Sequence, residues 1–166
     1  MTQAENKVEW CIRKAQKEGH AHRGLKKIDP DLRMSQGYVV KSERYLKASN
    51  VLKKAMLDDI GIGAIFYSMY HCLMAIASKF GYETRNQECT FALIYYLIEE
   101  GKIEFDKNDL EKIASLEPKD NEGTSVKIRE KYQYSTEFTV EEGVYDELNK
   151  LAKEVLTRTK AILKER

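Results

Sequence analysis

The stretch from Ile60 to Lys79 constrains the fold of this chain more than any other. No charged residue occurs from Ile60 through Ser78, and apolar or aromatic side chains cover every face of the helix that this stretch predicts. A helix that is apolar on all sides is buried on all sides. We therefore expect the other helices to pack around it in an all-α bundle.

A transmembrane span is the alternative interpretation, because this run approaches the ~20 residues that cross a bilayer. It contains Ser68, His71, two glycines and two tyrosines, and Asp58 and Asp59 come directly before it. Such polar groups favour the buried helix of a soluble protein. We therefore expect no membrane contact.

The length of 166 residues predicts one domain with a real core. Two prolines and nine glycines are few, which favours long helices. We expect a basic N-terminal helix and arm over 1–28 and the bundle over 29–166. Periodicity and capping residues predict helices over 4–18, 30–57, 60–80, 88–99, 106–116, 125–134 and 140–164.

The second helix and the loops can be predicted in more detail. Asp29 is the expected cap of the second helix, which Gly37 can interrupt. The expected inner face of that helix carries Tyr38, Tyr45, Leu52 and Met56. Between the helices we expect loops at 19–27 and 117–125, a polar linker at 82–88, and irregular backbone after Ser135.

The charge of this chain is unevenly distributed although the net charge is only +1. Up to Leu57 there are 13 Lys and Arg against 6 Asp and Glu. A basic arm of this kind can contact phosphate or an acidic partner. The alternative is that these charges are ordinary solvated helix faces.

Cys11, Cys72 and Cys89 are odd in number and far apart, without metal-ligand spacing. Reduced cysteines in a cytoplasmic protein fit this pattern best. The N-terminus is polar and is unlike a signal peptide. His20 and His22 lack a third ligand for a metal, so we expect no metal and no cofactor.

Several enzyme classes are excluded by missing motifs. His71 lies in the middle of the most apolar run, where we expect a hydrogen-bonded core histidine and not a member of a Ser-His-Asp triad. The chain has no phosphate-binding glycine loop, and no carboxylates enter the central helix as a di-iron bundle requires. Tyr132 and Tyr134 beside Arg129 and Lys131 are different, because interleaved cations and aromatics can hold a phosphate and stack a base. Ordinary helix-surface chemistry is the alternative for these four residues.

Three stretches, RGLKKIDPD, FYSMYHCLMAIASKFGYETRNQECTFALI and IREKYQY, together resemble the HEPN domain family, in particular its small stand-alone prokaryotic members. The resemblance covers roughly residues 24–164. It implies an antiparallel bundle of four to five core helices with short accessory helices, often a homodimer. Active members are metal-independent ribonucleases that use an Arg and a His four to six residues apart, and some are toxins paired with a nucleotidyltransferase.

Carried onto this chain, the family's Arg falls on Arg129 and its His on Tyr134, while a second motif falls on Arg85 and Gln87. Tyrosine titrates near 10 and glutamine does not titrate, so the usual acid and base are missing. Residues five apart on a straight helix also point ~140° apart, whereas Tyr132 is the same-face neighbour of Arg129.

The resemblance therefore predicts a nucleotide- or RNA-binding protein without nuclease activity. A place in a toxin–antitoxin or nucleotidyltransferase-associated system is compatible with this prediction. The predicted binding residues are Arg129, Lys131, Tyr132, Tyr134, Arg85 and Gln87. One alternative is a metal-independent ribonuclease toxin with Arg129 and Tyr134 as catalytic residues. The other is a non-enzymatic protein-interaction module.

Overall fold

A computed structural model describes residues 1–116 and 122–166, and it is an all-α bundle as predicted. The predicted loop at 117–125 lies outside the described residues from 117 to 121. The helices are α1 (Gln3–Glu18), α2 (Leu32–Lys54), α3 (Asp58–Lys79), α4 (Gln87–Glu99), α5 (Lys107–Ile113), α6 (Ser125–Tyr134) and α7 (Val144–Lys164).

Helix α3 is the centre of the bundle. Helices α2, α4, α6 and α7 all pack against it, while α1 packs on α4. The apolar stripe of α7 was predicted correctly, since Leu148, Leu151, Val155 and Ile162 are all buried. The central position of α3 follows from its sequence, because a helix that is apolar nearly all round can be covered by several neighbours at once, as it is by the apolar stripe of α7.

The prediction that α3 is buried on every side is wrong for one stripe. Ile60 is exposed, and Gly63, Tyr67, His71 and Met74 are only partly buried along the same face. Although α3 is long and apolar enough to cross a membrane, 67% of its most apolar window is buried inside the protein, as in a core helix. The absence of a membrane contact stays a prediction.

Two short strands were missed, β1 (Leu25–Lys27) and β2 (Tyr82–Thr84), in segments predicted as a loop and a polar linker. They pair antiparallel, with Leu25 opposite Thr84. The backbone continues this pairing beyond the strands, because Ile28 N donates to Gly81 O at 2.9 Å and Asp31 N to Ser78 O at 3.1 Å. Strands of three residues carry no periodic signal of their own, and their partners are far apart in sequence.

Several helix ends differ from the prediction. Asp31, and not Asp29, caps α2 by accepting a hydrogen bond from Met34 N at 2.8 Å, because residues 28–31 are held against the end of α3. Gly37 does not interrupt α2. Helix α7 begins after the left-handed Gly143 and not at Val140.

The inner face of α2 was also predicted wrongly. Its buried residues are Ser35, Ser42, Leu46 and Ser49, whereas Met56 lies outside the helix and is exposed. Ser42 Oγ is 2.9 Å from Ser68 Oγ on α3 and 3.1 Å from the sulfur of Cys72. Serine is small and can hydrogen-bond across a close helix contact, so the bulkier Tyr38 and Tyr45 are placed at the edge of the α2–α3 interface.

The expectation of three reduced cysteines is wrong for two of them. Cys11 on α1 and Cys89 on α4 form a disulfide, while Cys72 is free and buried. The two half-cystines are 78 residues apart in sequence, so only the packing of α1 on α4 brings them together. The cytoplasmic location stays a prediction, and disulfides are more usual in oxidising compartments.

Candidate functional site

Helix α6 places Arg129 against the central helix. Thr124 caps α6 through Lys127 N at 3.3 Å, and one turn later Arg129 points inward and is only 6% exposed. The carbon of its guanidinium lies 4.6 Å from the centre of the Phe66 ring and 5.8 Å from that of Tyr67. A guanidinium in this position gains a cation–π interaction.

The charge of Arg129 is poorly compensated. Its Nη1 donates to Gln133 Oε1 at 2.7 Å, but its nearest carboxylate, Glu130, is 3.9 Å away. Its buried Nε has no hydrogen-bond partner among the described residues. A buried cation without a close anion is costly, and an unsatisfied buried donor requires an explanation. A bound anion would supply the missing charge and acceptors.

A row of half-buried rings lies along the interface of α2 and α3 beside Arg129. The Tyr67 ring is 5.8 Å from that of Tyr45, which stacks on His71 at 5.1 Å, and His71 is 6.0 Å from Tyr38. We call Tyr38, Tyr45, Tyr67 and His71 the tyrosine face. Partly exposed aromatic rings of this kind can stack on nucleobases.

His71 presents, on this face, a nitrogen that has no hydrogen-bond partner among the described residues. Its Nδ1 lies 2.7 Å from the carbonyl oxygen of Tyr67, and a carbonyl only accepts, so Nδ1 carries the proton and Nε2 is bare when the ring is neutral. Burial, together with the charge of Lys41, lowers the pKa of His71. The predicted hydrogen bond is confirmed, but this histidine lies at the edge of the core.

Lys41 completes the tyrosine face on the solvent side. Its Nζ is 5.9 Å from the centre of the Tyr45 ring, and it forms no ion pair within residues 1–116 and 122–166. Lys41 and Arg129 therefore place positive charge on two sides of the rings.

The other predicted residues of α6 have separate roles. Lys131 is exposed and pairs with Glu137 at 3.5 Å, whose charge raises the pKa of Lys131. Tyr132 is buried, as expected for the same-face neighbour of Arg129, and its Oη accepts from Glu141 N at 3.4 Å. Tyr134 is 74% exposed. Arg129 and Tyr134 therefore point in different directions, as the helix geometry predicted.

Arg85 and Gln87 belong to other surfaces. Arg85 is engaged at β2, where it pairs with Glu83 at 3.2 Å and donates to His20 O at 2.9 Å. Gln87 borders a cleft of about 560 Å³ between α1, α4 and α6. Neither residue has a described contact with Arg129. The cations of that cleft are neutralised, since Lys7 pairs with Glu88 and Lys127 with Glu130, so it is less suited to an anion than the tyrosine face.

His20 and His22 do not form the pair that a metal would require. His22 is buried, with Nε2 2.8 Å from Glu83 Oε1, while His20 is exposed. Among residues 1–116 and 122–166 there is no group of three side chains arranged to hold a metal ion.

Comparison with known proteins adds no further assignment. A scan against models of protein families finds no match, and a search of curated proteins finds none either. The relation to the HEPN family therefore stays a resemblance.

The sequence prediction missed the tyrosine face because it assigned Tyr38 and Tyr45 to the core. The serines at 35, 42 and 49 repeat every seven residues, which is the spacing of a helix–helix contact. Taken as the buried line of α2, they place both tyrosines at its edge. That repeat is the signal that would have identified this face.

Proposed function

We propose that this chain is a nucleotide- or RNA-binding protein. In this proposal Arg129 contacts a phosphate, the tyrosine face stacks a base, and no nuclease reaction follows at Tyr134. A homodimer, a nucleotidyltransferase partner and a toxin–antitoxin role stay predictions of the resemblance.

The observation that carries this proposal is the incomplete pairing of buried Arg129. Its close partner is the neutral Gln133, which is itself exposed. A phosphate that displaces the Gln133 side chain would give the guanidinium both an anion and charge-assisted hydrogen bonds. The adjoining Tyr67 ring would then lie next to the sugar or base.

Fluorescence anisotropy with a labelled 12-nucleotide single-stranded RNA tests this proposal at two salt concentrations. We expect binding at low salt that weakens at high salt. Arg129→Met keeps much of the apolar volume and should weaken binding at least tenfold, since a charged hydrogen bond contributes roughly 1.5–3 kcal/mol. The matched control is Arg158→Met on α7, which should bind like the wild type.

Gln133→Glu provides a second variant that does not depend on core packing. Its carboxylate would pair with Arg129 and compete with phosphate, so binding should weaken while the melting temperature is maintained or raised. RNA affinity that is the same in the wild type, Arg129→Met and Gln133→Glu would refute the proposal, as would no binding at low salt.

A ribonuclease is the second candidate, and the bare Nε2 of His71 favours it. A neutral imidazole near phosphate-binding cations can accept the proton of a ribose 2′-hydroxyl. This candidate predicts RNA cleavage in excess EDTA that His71→Gln abolishes. If Tyr134→Phe abolishes cleavage and His71→Gln does not, the catalytic group is the one that the resemblance indicated. Intact RNA after prolonged incubation with the wild type would exclude this candidate.

A further inference from the structure

The outward side of α2 carries a row of exposed cations. Within residues 1–116 and 122–166 none of them forms an ion pair. Glu43, the acidic residue of this helix, is neutralised by Lys160 at 2.5 Å. We call this set the α2 ridge, which consists of Arg33, Lys41, Arg44, Lys47 and Lys54.

The ridge differs from the other charged helix surfaces of the chain. On α1, Arg13 and Lys14 have glutamate partners one turn away, and on α6 Lys127 pairs with Glu130. Opposite charges on neighbouring turns support a helix without any ligand. The ridge has no such support. The mutual repulsion of its cations can therefore be reduced only by solvent, salt or an external polyanion.

The positions of these cations form one stripe. At 100° per residue, the ridge residues lie within about 80° on either side of one line along the helix. From Arg33 to Lys54 this line is about 32 Å long at ~1.5 Å per residue. A mononucleotide is much shorter than such a stripe, whereas a nucleic-acid strand offers repeated phosphates along it.

The ridge adjoins the tyrosine face. Lys41 belongs to both, since its Nζ is 5.9 Å from the Tyr45 ring. Tyr38 and Tyr45 are on the flank of α2 that meets α3, next to His71. Cations therefore follow one side of a row of partly exposed aromatic rings, the combination that binds single strands through phosphates and stacked bases.

We infer that single-stranded RNA lies along α2, with successive phosphates on the ridge and unpaired bases on Tyr38, Tyr45 and His71. This inference rests on the proposed function and specifies its ligand as a polymer. A duplex keeps its bases stacked on one another, so the rings favour a single strand. A membrane surface would require cations around a continuous apolar face that can enter the lipid. On the outward side of α2 the exposed apolar residues Val40 and Val51 lie far apart along the helix, with Arg44 and Lys47 between them.

The test compares four ligands by anisotropy or sedimentation: a 12-nucleotide single strand, a 12-base-pair RNA duplex, ADP, and vesicles containing anionic lipid. The single strand should bind at least tenfold more tightly than the duplex or ADP. Stronger binding to vesicles than to RNA would overturn the inference in favour of a membrane surface. Equal affinity for ADP and the 12-nucleotide strand would overturn the inference that the ligand is a polymer.

The variant is Lys41→Gln/Arg44→Gln/Lys47→Gln, and the matched control is Lys107→Gln/Lys150→Gln/Lys153→Gln, which removes the same charge from exposed positions on α5 and α7. Loss of three phosphate contacts should reduce the slope of log affinity against log salt by about 2. The control should keep the wild-type slope. Tyr45→Leu should weaken binding about tenfold without changing that slope.

The two proposals fail in different ways. If the ridge variant and the control lose the same affinity while Arg129→Met abolishes binding, the ridge inference falls and the proposed function stands. If no RNA binds to the wild type at low salt, both fall. If the ridge variant alone loses binding and Arg129→Met binds normally, the ridge stands and the assigned role of Arg129 is wrong.

Discussion

Among single residues, Gly61 stands out because it marks a close approach between the central helix and α7. A Cβ atom at this position would overlap the hydroxyl and ring of Tyr145, which donates a hydrogen bond to Ser49 O on α2. Helices α2, α3 and α7 are therefore in close contact here, and only a residue without a side chain fits at position 61. Gly63, two residues later, has nothing within 4 Å of the Cβ position.

These two glycines give opposite predictions. Gly61→Ala should lower the free energy of unfolding by about 1–3 kcal/mol, because the methyl group overpacks the contact with Tyr145. Gly63→Ala should raise it by about 0.5–1 kcal/mol, because alanine loses less backbone entropy in a helix. Urea denaturation followed by circular dichroism measures both. Similar changes in the two variants would contradict the close approach at Gly61.

The lowered pKa of His71 leads to a predicted dependence of stability on pH. Burial lowers the pKa of His71 in the folded state, whereas the unfolded chain keeps a value near 6.5. The stabilising contribution is therefore complete above that value and is lost as the pH falls toward the folded pKa. Between pH 7.5 and 5.5 the wild type should lose more unfolding free energy than His71→Gln.

The control for this pH effect is His20→Gln, since His20 is exposed and its side chain has no described hydrogen bond. Its unfolding free energy should follow the wild-type pH dependence. A wild-type decline that persists unchanged in His71→Gln would assign the effect to groups other than His71.

At the scale of elements, the contact between α2 and α3 decides where the aromatic residues lie. Ser42, with both Ser68 and Cys72 within hydrogen-bond distance, is fully buried at the centre of this contact. A larger side chain would separate the two helices or force unfavourable rotamers. The same separation would move Tyr45 relative to His71.

Ser42→Leu should therefore destabilise the protein by about 1–3 kcal/mol. Ala48→Leu, on the exposed side of the same helix, should change the stability by less than about 0.5 kcal/mol. Thermal or urea denaturation compares the two variants. If both variants have wild-type stability, the α2–α3 contact is looser than the structure shows.

At the scale of the whole molecule, the N-terminal 28 residues are integrated into the bundle. Helix α1 packs on α4, β1 pairs with β2, and the Cys11–Cys89 disulfide joins the two parts covalently. A cross-link over 78 residues restricts the unfolded chain strongly, which stabilises the fold.

Removing this cross-link should lower the free energy of unfolding by about 2–5 kcal/mol. Urea denaturation of the wild type with and without a phosphine reductant measures the effect. Cys11→Ala/Cys89→Ala is the control, since the reductant should not change its midpoint. A wild-type midpoint that is insensitive to complete reduction, confirmed by thiol titration, would contradict a stabilising disulfide.

The class of fold, the central helix and most of the helices could be predicted from the sequence, because periodicity and capping are local properties of the chain. The uncharged run through Ser78 and the stripe of α7 needed no partner to be identified. Other features became visible only in the folded chain, because they depend on contacts between residues far apart in sequence. The β1–β2 pairing, the disulfide, the buried position of Arg129 and the half-exposed tyrosine face all belong to this second group. Local propensity carries no information on which helix approaches which, so these features could be assigned only once α2, α3 and α6 were packed together.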